Sequence, residues 1–227
     1  GVWINQSMDK PDQNIAYLVQ GGLGMPDRDF YLQGDQRMAE MRTAYQAHIA
    51  RLLTLAGTVE AEAKAKAARI MALEVAIARV HATQVETNDV KLGANYWTPA
   101  DFETKAPGID WAAFLAGAQL DSQPQFVVWQ PKAAAGISKL VGSQPLDTWK
   151  DYLQFRALDS ASALLPKAFA DAGFAFYGTT LNGTPQQQER WKRAVNAVNG
   201  SLGEAVGKIY VQRHFSPQVK ARADAGS

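Results

Sequence analysis

The sequence predicts a mainly α-helical fold: a multi-helix lobe with long antiparallel helices, an irregular N-terminal segment and at most one or two short strands. Apolar residues recur at steps of three and four over residues 36–56 and 59–85, the spacing of one helical face. The same spacing continues over residues 184–213. Only residues 126–129, Phe-Val-Val-Trp between two prolines, favour a strand.

Composition excludes several classes of protein. The chain has 227 residues, of which 47% are hydrophobic and 20% charged, which is ordinary globular usage. A balance of 23 basic and 22 acidic side chains indicates no nucleic-acid partner. Apolar runs stay far below the roughly 20 residues of a bilayer span, so no transmembrane segment is expected in this chain. The absence of cysteine excludes disulfides, thiolate catalysis and cysteine-ligated zinc.

The first half of the chain is predicted to form a helical hairpin behind an irregular start. Residues 1–35 have no sustained period and contain the turn-rich string GGLGMPD, so we expect an irregular or locally extended N-terminal segment packed on the lobe. A helix over 36–56 ends at Gly57. A second helix, over 59–85, has an alanine-rich face and an apolar stripe that includes Ile70 and Ile77.

The second half is predicted to be a series of helices that together complete a lobe over residues 36–213. Shorter helices are expected over 98–104, from 110, over 132–141, 145–164 and 166–177, with a loop at 178–183. Thr184 and Pro185 then resemble the N-cap and first position of a long helix that reaches about Arg213. Residues 214–227 follow this helix as a tail.

The histidines are candidate metal ligands because imidazole is a common zinc ligand. None of His48, His81 and His214 belongs to a His-Glu-x-x-His pair. If the first two long helices pair antiparallel, His48 and His81 could meet, and Glu40 or Glu74 could add a carboxylate. The alternative is that both histidines are half-buried helix residues with one satisfied nitrogen. His214 could interact with a C-terminal helix dipole.

A nucleophilic serine is the other common catalytic group. Ser201 lies between Gly200 and Gly203 and superficially resembles the Gly-x-Ser-x-Gly turn. One residue of the motif is lacking, and the string falls inside a helical pattern with no preceding strand. We therefore assign no catalytic serine.

Several strings are more specific than these motifs and resemble the neprilysin family of zinc metallopeptidases. Residues 20–32 read QGGLGMPDRDFYL, similar to the family's Gly-Leu-Gly-Leu-Pro-x-Arg-Asp-Tyr-Tyr segment. Tyr177-Gly178 is followed by RWKR at 190–193 and by GEAVGKIYV at 203–211, similar to the segment that precedes the family's catalytic half. The resemblance covers essentially the whole chain and is to the N-terminal, non-catalytic helical lobe.

The resemblance implies a parent protein with two mostly helical lobes around a chamber that admits short peptides. This chain would form part of the chamber wall, and residues 214–227 would be a truncated tail that leads toward the missing catalytic lobe. The family's zinc is held by two histidines and a glutamate on motifs that this sequence lacks, so zinc is expected in the parent protein, outside this chain. We expect neither catalytic nor metal-binding residues here. The implied partners are the catalytic lobe of the same polypeptide and oligopeptide substrates, in the periplasm of a bacterium or outside the cell.

Four residues of the last long helix are candidates for the junction between lobes. Their mixture of aromatic, charged and amide groups would suit such a contact: Trp191, Arg193, Asn199 and Glu204. Helix packing and solvated charge are an equally simple explanation. An alternative of a different class is a stand-alone helical module that binds peptides or proteins without catalysis. A reading frame that continues into a His-Glu-x-x-His motif would favour the peptidase.

Overall fold

The computed structural model describes residues 1–224 and confirms a mainly helical fold. The chain folds into two compact units, one formed by residues 1–183 and the other by residues 184 onward. No helix among the described residues combines the length and the hydropathy needed to cross a membrane.

The larger unit contains a small sheet surrounded by helices. Its strands are β1 Val2–Gln6, β2 Asn14–Leu18, β3 Tyr96–Trp97 and β4 Phe126–Val128. Its helices are α1 Asp29–Leu32, α2 Gln36–Leu55, α3 Glu60–Val80, α4 Gln84–Asn88, α5 Val90–Gly93, α6 Pro99–Lys105, α7 Trp111–Gly117, α8 Pro131–Ser143, α9 Leu146–Ala161 and α10 Lys167–Gly173. A π-helix, Phe174–Leu181, follows α10 directly.

The strands are arranged in the order β1-β2-β4-β3. β1 and β2 form an antiparallel pair in which Trp3 faces Tyr17, whereas β2 and β4 are parallel. One face of the sheet packs on α6 and α7 through Phe126 and Trp97, and the other face buries Tyr17 and Val127. The sheet therefore has its own core, separate from that of the long helices.

The hairpin of α2 and α3 is confirmed and carries the main core. Asp35 caps α2 by accepting a hydrogen bond from the backbone of Met38, and Gly57 ends it with a positive φ of 97°. The apolar faces of α2 and α3 meet α1, α9 and the π-helix around Tyr45, Ile70 and Phe155. Burial of these side chains, rather than helix propensity, stabilises the helices.

The N-terminal segment differs from the prediction. Residues 1–35 are extended in part, as a β-hairpin followed by a short helix, rather than irregular throughout, and the sheet has more strands than the expected one or two. The signal was present in two β-prone runs, Val2-Trp3-Ile4 and Ile15-Ala16-Tyr17-Leu18, on either side of a turn that contains Pro11. Each run is short, so its pairing partner decides its structure.

Three helix boundaries also differ. The second long helix ends at Val80 rather than Val85 because Thr83 caps a new helix with a capping box to Glu86. The predicted loop at 178–183 is largely helical, since the π-helix continues to Leu181. The last long helix begins at Arg190, not after Thr184, and no side chain caps it.

The smaller unit consists of α11 Arg190–His214 and α12 Pro217–Asp224. α11 is interrupted at Leu202, where φ is −130° and ψ is 27°, so it is two helical halves joined at a kink. Three glycines lie near the kink, and each has open space where a Cβ would be: Gly200, Gly203 and Gly207.

Candidate functional site

The first half of α11 carries an exposed apolar stripe. Trp191, Val195 and Val198 follow the i, i+4, i+7 spacing of one helical face and are 62%, 48% and 47% exposed. The Trp191 Nε1 donates to Glu189 Oε2 at 2.8 Å, and Lys192 Nζ lies 5.4 Å from the centre of the indole. An indole exposed to this extent on a regular stripe is typical of a contact surface.

The stripe continues beyond the kink. Val206 is half-buried, whereas Ile209 and Tyr210 on the same side are 52% and 57% exposed. Leu202, at the kink itself, is 59% exposed. The kink changes the direction of the helix, so the two halves of the stripe need not lie on one straight line.

The structure does not gather the four predicted junction residues on one face. Trp191 lies on the apolar stripe. Arg193 is two positions further along, about 200° around the helix, and Glu204 is about 200° from Val206. Asn199 lies one position after Val198, at the edge of the stripe. The side chains of Asn199 and Glu204 are exposed, whereas the Nε of Arg193 is buried and has no hydrogen-bond partner among the described residues.

The histidines do not assemble a metal site. His48 Nε2 lies 2.8 Å from Asp159 Oδ1, while His81 Nε2 lies 3.0 Å from the carbonyl oxygen of Gly21. The ring of His214 packs against that of Tyr210 at an angle of 37°, with ring centres 4.7 Å apart. Within residues 1–224, no group of three or more histidine, aspartate or glutamate side chains could hold a metal ion. The possible cluster of His48 and His81 is thus absent from the described part of the chain.

Glu74 is the centre of a buried polar network that sequence reasoning missed. Its side chain is fully buried in the α3 stripe. Glu74 Oε2 accepts hydrogen bonds from the Tyr31 hydroxyl at 2.5 Å and from the Gly24 backbone at 3.1 Å. Oε1 accepts one from the Tyr45 hydroxyl at 3.1 Å. The Tyr31 hydroxyl in turn accepts from the backbone N–H of Met25 at 2.9 Å.

A second carboxylate extends this network. Asp159 Oδ2 accepts a hydrogen bond from the Tyr177 hydroxyl at 2.7 Å and lies 3.9 Å from Arg156 Nη1. The same hydroxyl lies 3.3 Å from the carbonyl oxygen of Gly24. His48 packs flat on Phe176, with ring centres 5.2 Å apart. The π-helix thereby places Phe176 and Tyr177 against both ends of the His48–Asp159 pair.

Burial sets the protonation of this network. Burial and the charge of Glu74 raise the pKa of Tyr31 and Tyr45 above the usual range, so both phenols remain neutral donors. Burial also raises the pKa of the Glu74 carboxyl, against hydrogen bonds from Tyr31 and the Gly24 backbone that lower it. The pKa of Tyr177 is raised by burial and by Asp159.

The network fixes the segment of residues 21–31 on the surrounding helices. Its hydrogen bonds join residues 21–31 to α2, α3, α9 and the π-helix, and no hydroxyl in it has a raised acidity that would make it a nucleophile. A sequence signal for it exists: Glu74 interrupts the apolar stripe between Ile70 and Ile77, and a carboxylate at such a position needs partners.

The comparisons with known proteins decide the family. The model of Peptidase family M13, for its N-terminal part, matches residues 1–225. The chain belongs to this family. The resemblance to the neprilysin family and its N-terminal lobe is therefore confirmed. The match includes the glycine-rich segment around Gly24 and the whole of α11.

Relatives in this family are much longer than the chain. Endothelin-converting enzyme 1 of Homo sapiens is 27% identical over 231 residues, covering 98% of this chain and 29% of that protein. Membrane metallo-endopeptidase-like 1 of Mus musculus is 25% identical over 232 residues, covering 92% of this chain and 30% of that protein. The open-state structure of the Mycobacterium tuberculosis zinc metalloprotease Zmp1 has a TM-score of 0.92 and 34% identity. It covers 99% of this chain, which spans 35% of that structure.

Proposed function

We propose that the chain is the non-catalytic lobe of a neprilysin-like zinc metallo-endopeptidase that cleaves short peptides, and that it forms part of the wall of the substrate chamber. The observation that carries the proposal is the match to the N-terminal part of Peptidase family M13 over residues 1–225. A wall that keeps bulk water and folded proteins away would be the contribution of this lobe to catalysis. The lobe itself would be inactive.

Zinc in the parent protein would supply the chemistry by polarising the peptide carbonyl and activating water. The described residues do not fit such a site, because His48, His81 and Glu74 each have a different hydrogen-bond partner. We therefore place zinc on segments of the parent protein outside this chain and derive no step of the reaction from it. A periplasmic or extracellular location in a bacterium is part of the same proposal.

The junction with the catalytic lobe is proposed to lie on α11. Its apolar stripe, with Trp191 and Leu202, is the extended apolar surface of the smaller unit. Asn199 would supply a polar contact at the edge of the apolar stripe, and Arg193 and Glu204 would supply polar contacts on the opposite side of the helix. Because nothing fills the space around Gly200, Gly203 and Gly207 near the kink, another backbone could approach this side of the helix closely.

A pair of matched leucines tests this proposal. Leu202 on α11 is 59% exposed and Leu164, in the larger unit, is 82% exposed. In the 227-residue chain, both Leu202→Ser and Leu164→Ser should change the free energy of unfolding by no more than about 0.5 kcal/mol. In the protein from the complete reading frame, only Leu202→Ser should destabilise, by about 2 kcal/mol, since it would remove a buried side chain.

The readouts are thermal melting and kcat/KM for a fluorogenic peptide. In the complete protein, we expect only Leu202→Ser to lower the melting temperature and kcat/KM. We expect the 227-residue chain by itself not to hydrolyse the peptide. Equal behaviour of the two variants in the complete protein would contradict the junction. Peptide hydrolysis by the chain itself, or a reading frame without His-Glu-x-x-His, would contradict the role as a non-catalytic lobe.

A further inference from the structure

The outer edge of β1 has backbone groups that point away from the sheet. β1 is the terminal strand of the order β1-β2-β4-β3. Gly1 and Val19 exchange two hydrogen bonds, of 2.7 and 2.9 Å, and the Ser7 backbone donates to Gln13 at 2.8 Å. Because hydrogen-bonded and non-hydrogen-bonded pairs alternate in an antiparallel ladder, Trp3 and Asn5 also face β2. The N–H and C=O groups of the residues between them face outward.

These outward groups are Val2, Ile4 and Gln6, but Gln6 is already satisfied. Its N–H donates to Asn5 Oδ1 at 2.9 Å, and its carbonyl accepts from the Tyr17 hydroxyl at 2.7 Å. Val2 and Ile4 remain, and together they offer two donors and two acceptors in the spacing of a β-ladder. An extended chain is the partner that can satisfy this pattern.

Exposed apolar side chains accompany the edge. Val2 and Ile4 are 38% and 58% exposed and share one face of the strand, while Trp3, on the other face, is 54% exposed. Natural edge strands usually carry a charge, a proline or a bulge that prevents pairing, and none occurs in residues 2–6.

A small cavity opens beside Val2 on the same face. Its volume is about 180 Å³, and its lining includes Val2, Leu18, Trp111 and Phe114. The lining also includes two glutamines, Gln20 and Gln130, and Gly1, which carries the N-terminal ammonium group. A cavity of roughly 150 Å³ accepts a benzene ring, so this one has room for a single side chain of that size.

We propose that β1 and this cavity form a binding site for an extended peptide, which adds an antiparallel strand and presents an apolar side chain opposite Val2. The backbone of Val2 and Ile4 would provide up to four hydrogen bonds, and the apolar side chains of the cavity would receive an apolar side chain of the peptide. The site lies in the larger unit and requires neither zinc nor a catalytic lobe. It is therefore independent of the function proposed above.

The test uses the 227-residue chain and a capped seven-residue peptide in which threonine alternates with leucine, labelled with fluorescein. Binding is measured by fluorescence anisotropy. With leucines opposite Val2 and Ile4, the leucine N–H groups face β1 and the threonine N–H groups face away. We expect saturable binding that N-methylation of the leucines abolishes and N-methylation of the threonines preserves.

A variant of the protein provides a second test. Ile4→Pro removes an outward N–H without touching the ladder to β2, as prolines on edge strands do. It should weaken peptide binding about tenfold, whereas Ile4→Val, which keeps the N–H, should leave binding within about twofold. Thermal melting checks that both variants fold. If Ile4→Pro does not fold, the N-methylated peptides still test the proposal on the unaltered protein.

Four results would overturn the proposal. The first is no saturable binding of the unmodified peptide, and the second is equal loss of binding for both N-methylated series. The third is a dimer of the unaltered chain that Ile4→Pro converts to a monomer, since the edge would then be occupied by a second copy. A peptide that binds Ile4→Pro as tightly as the unaltered chain would refute the assigned edge as well.

Discussion

Substituting Gly24 by alanine should destabilise the larger unit by about 4 kcal/mol. A Cβ at this position would lie 1.7 Å from the Tyr45 hydroxyl oxygen and 2.8 Å from Arg156 Nη1. The backbone of Gly24 is held at 3.1 Å from Glu74, so it cannot move away without breaking that hydrogen bond. The Tyr45 ring is fully buried and has no free space in which to retreat.

The magnitude has two parts. Forcing a methyl group into a packed interior costs about 1–3 kcal/mol. Displacing Tyr45 also removes a hydrogen bond from the buried Glu74 carboxylate, which costs about another 1–3 kcal/mol. For a unit of this size, about 4 kcal/mol corresponds to a fall of roughly 12 °C in melting temperature.

The assay is thermal unfolding followed by circular dichroism, with Gly34→Ala as the matched control. A Cβ at Gly34 would meet no atom within 4 Å, so its melting temperature should change by no more than about 1 °C. A double-mutant cycle with Tyr45→Phe sharpens the test, because removing the hydroxyl should cost less in the Gly24→Ala background than in the unaltered chain. A melting temperature for Gly24→Ala equal to that of Gly34→Ala would refute the reasoning.

Three further predictions concern single side chains. Burial lowers the pKa of His81 below 6.5, so the unfolded chain binds more protons there. The free energy of unfolding should therefore fall as the pH drops below about 6.5. His81→Gln should reduce the difference between the free energies of unfolding measured in urea at pH 5.5 and 7.5. The Asp151 carboxylate lies 3.0 Å from Lys66 Nζ and 2.8 Å from Arg69 Nη2. Asp151→Asn should lower the free energy of unfolding, measured in urea at pH 7, by about 2 kcal/mol. This loss should shrink at acid pH, because the pKa of Asp151 is lowered in the folded chain and the carboxylate contributes less once it is protonated. Thr83→Ala removes an N-cap and should cost about 1 kcal/mol by the same measurement, and no change would show that the cap does not stabilise the fold.

The elements that sequence predicts best are those with local signals at both ends. α2 begins at the Asp35 cap and ends at Gly57, so its bounds follow from short-range hydrogen bonds and one positive φ. The start of α11 has no such pair of local signals. Thr184-Pro185 matches a capping motif, but the glutamines after it offer no apolar side chain to pack a first turn. The helix begins instead beside Trp191, the first apolar residue of its stripe.

The features that could not be predicted from the sequence depend on contacts between residues far apart in the chain. β1 and β2 are short. β1 becomes a strand only because β2 lies beside it, and β2 only because β1 and β4 lie on its two sides. The partners of Glu74 come from α2 and from the loop at residues 21–31, so no spacing in the sequence reveals them. On α11, periodicity identified the stripe correctly. The kink at Leu202 could not be derived, and the four junction residues remain a proposal.

The loop around Gly24 has a consequence for the order of folding. Its contacts span long stretches of chain: 50 residues from Gly24 to Glu74, 130 from Gly22 to Tyr152 and 153 from Gly24 to Tyr177. Closing such distant contacts is slow because chain entropy is lost before the contacts form. During synthesis the loop emerges before α9 and the π-helix, so it must wait for both to complete its hydrogen bonds. The loop is thus among the last segments of the larger unit to reach its final structure.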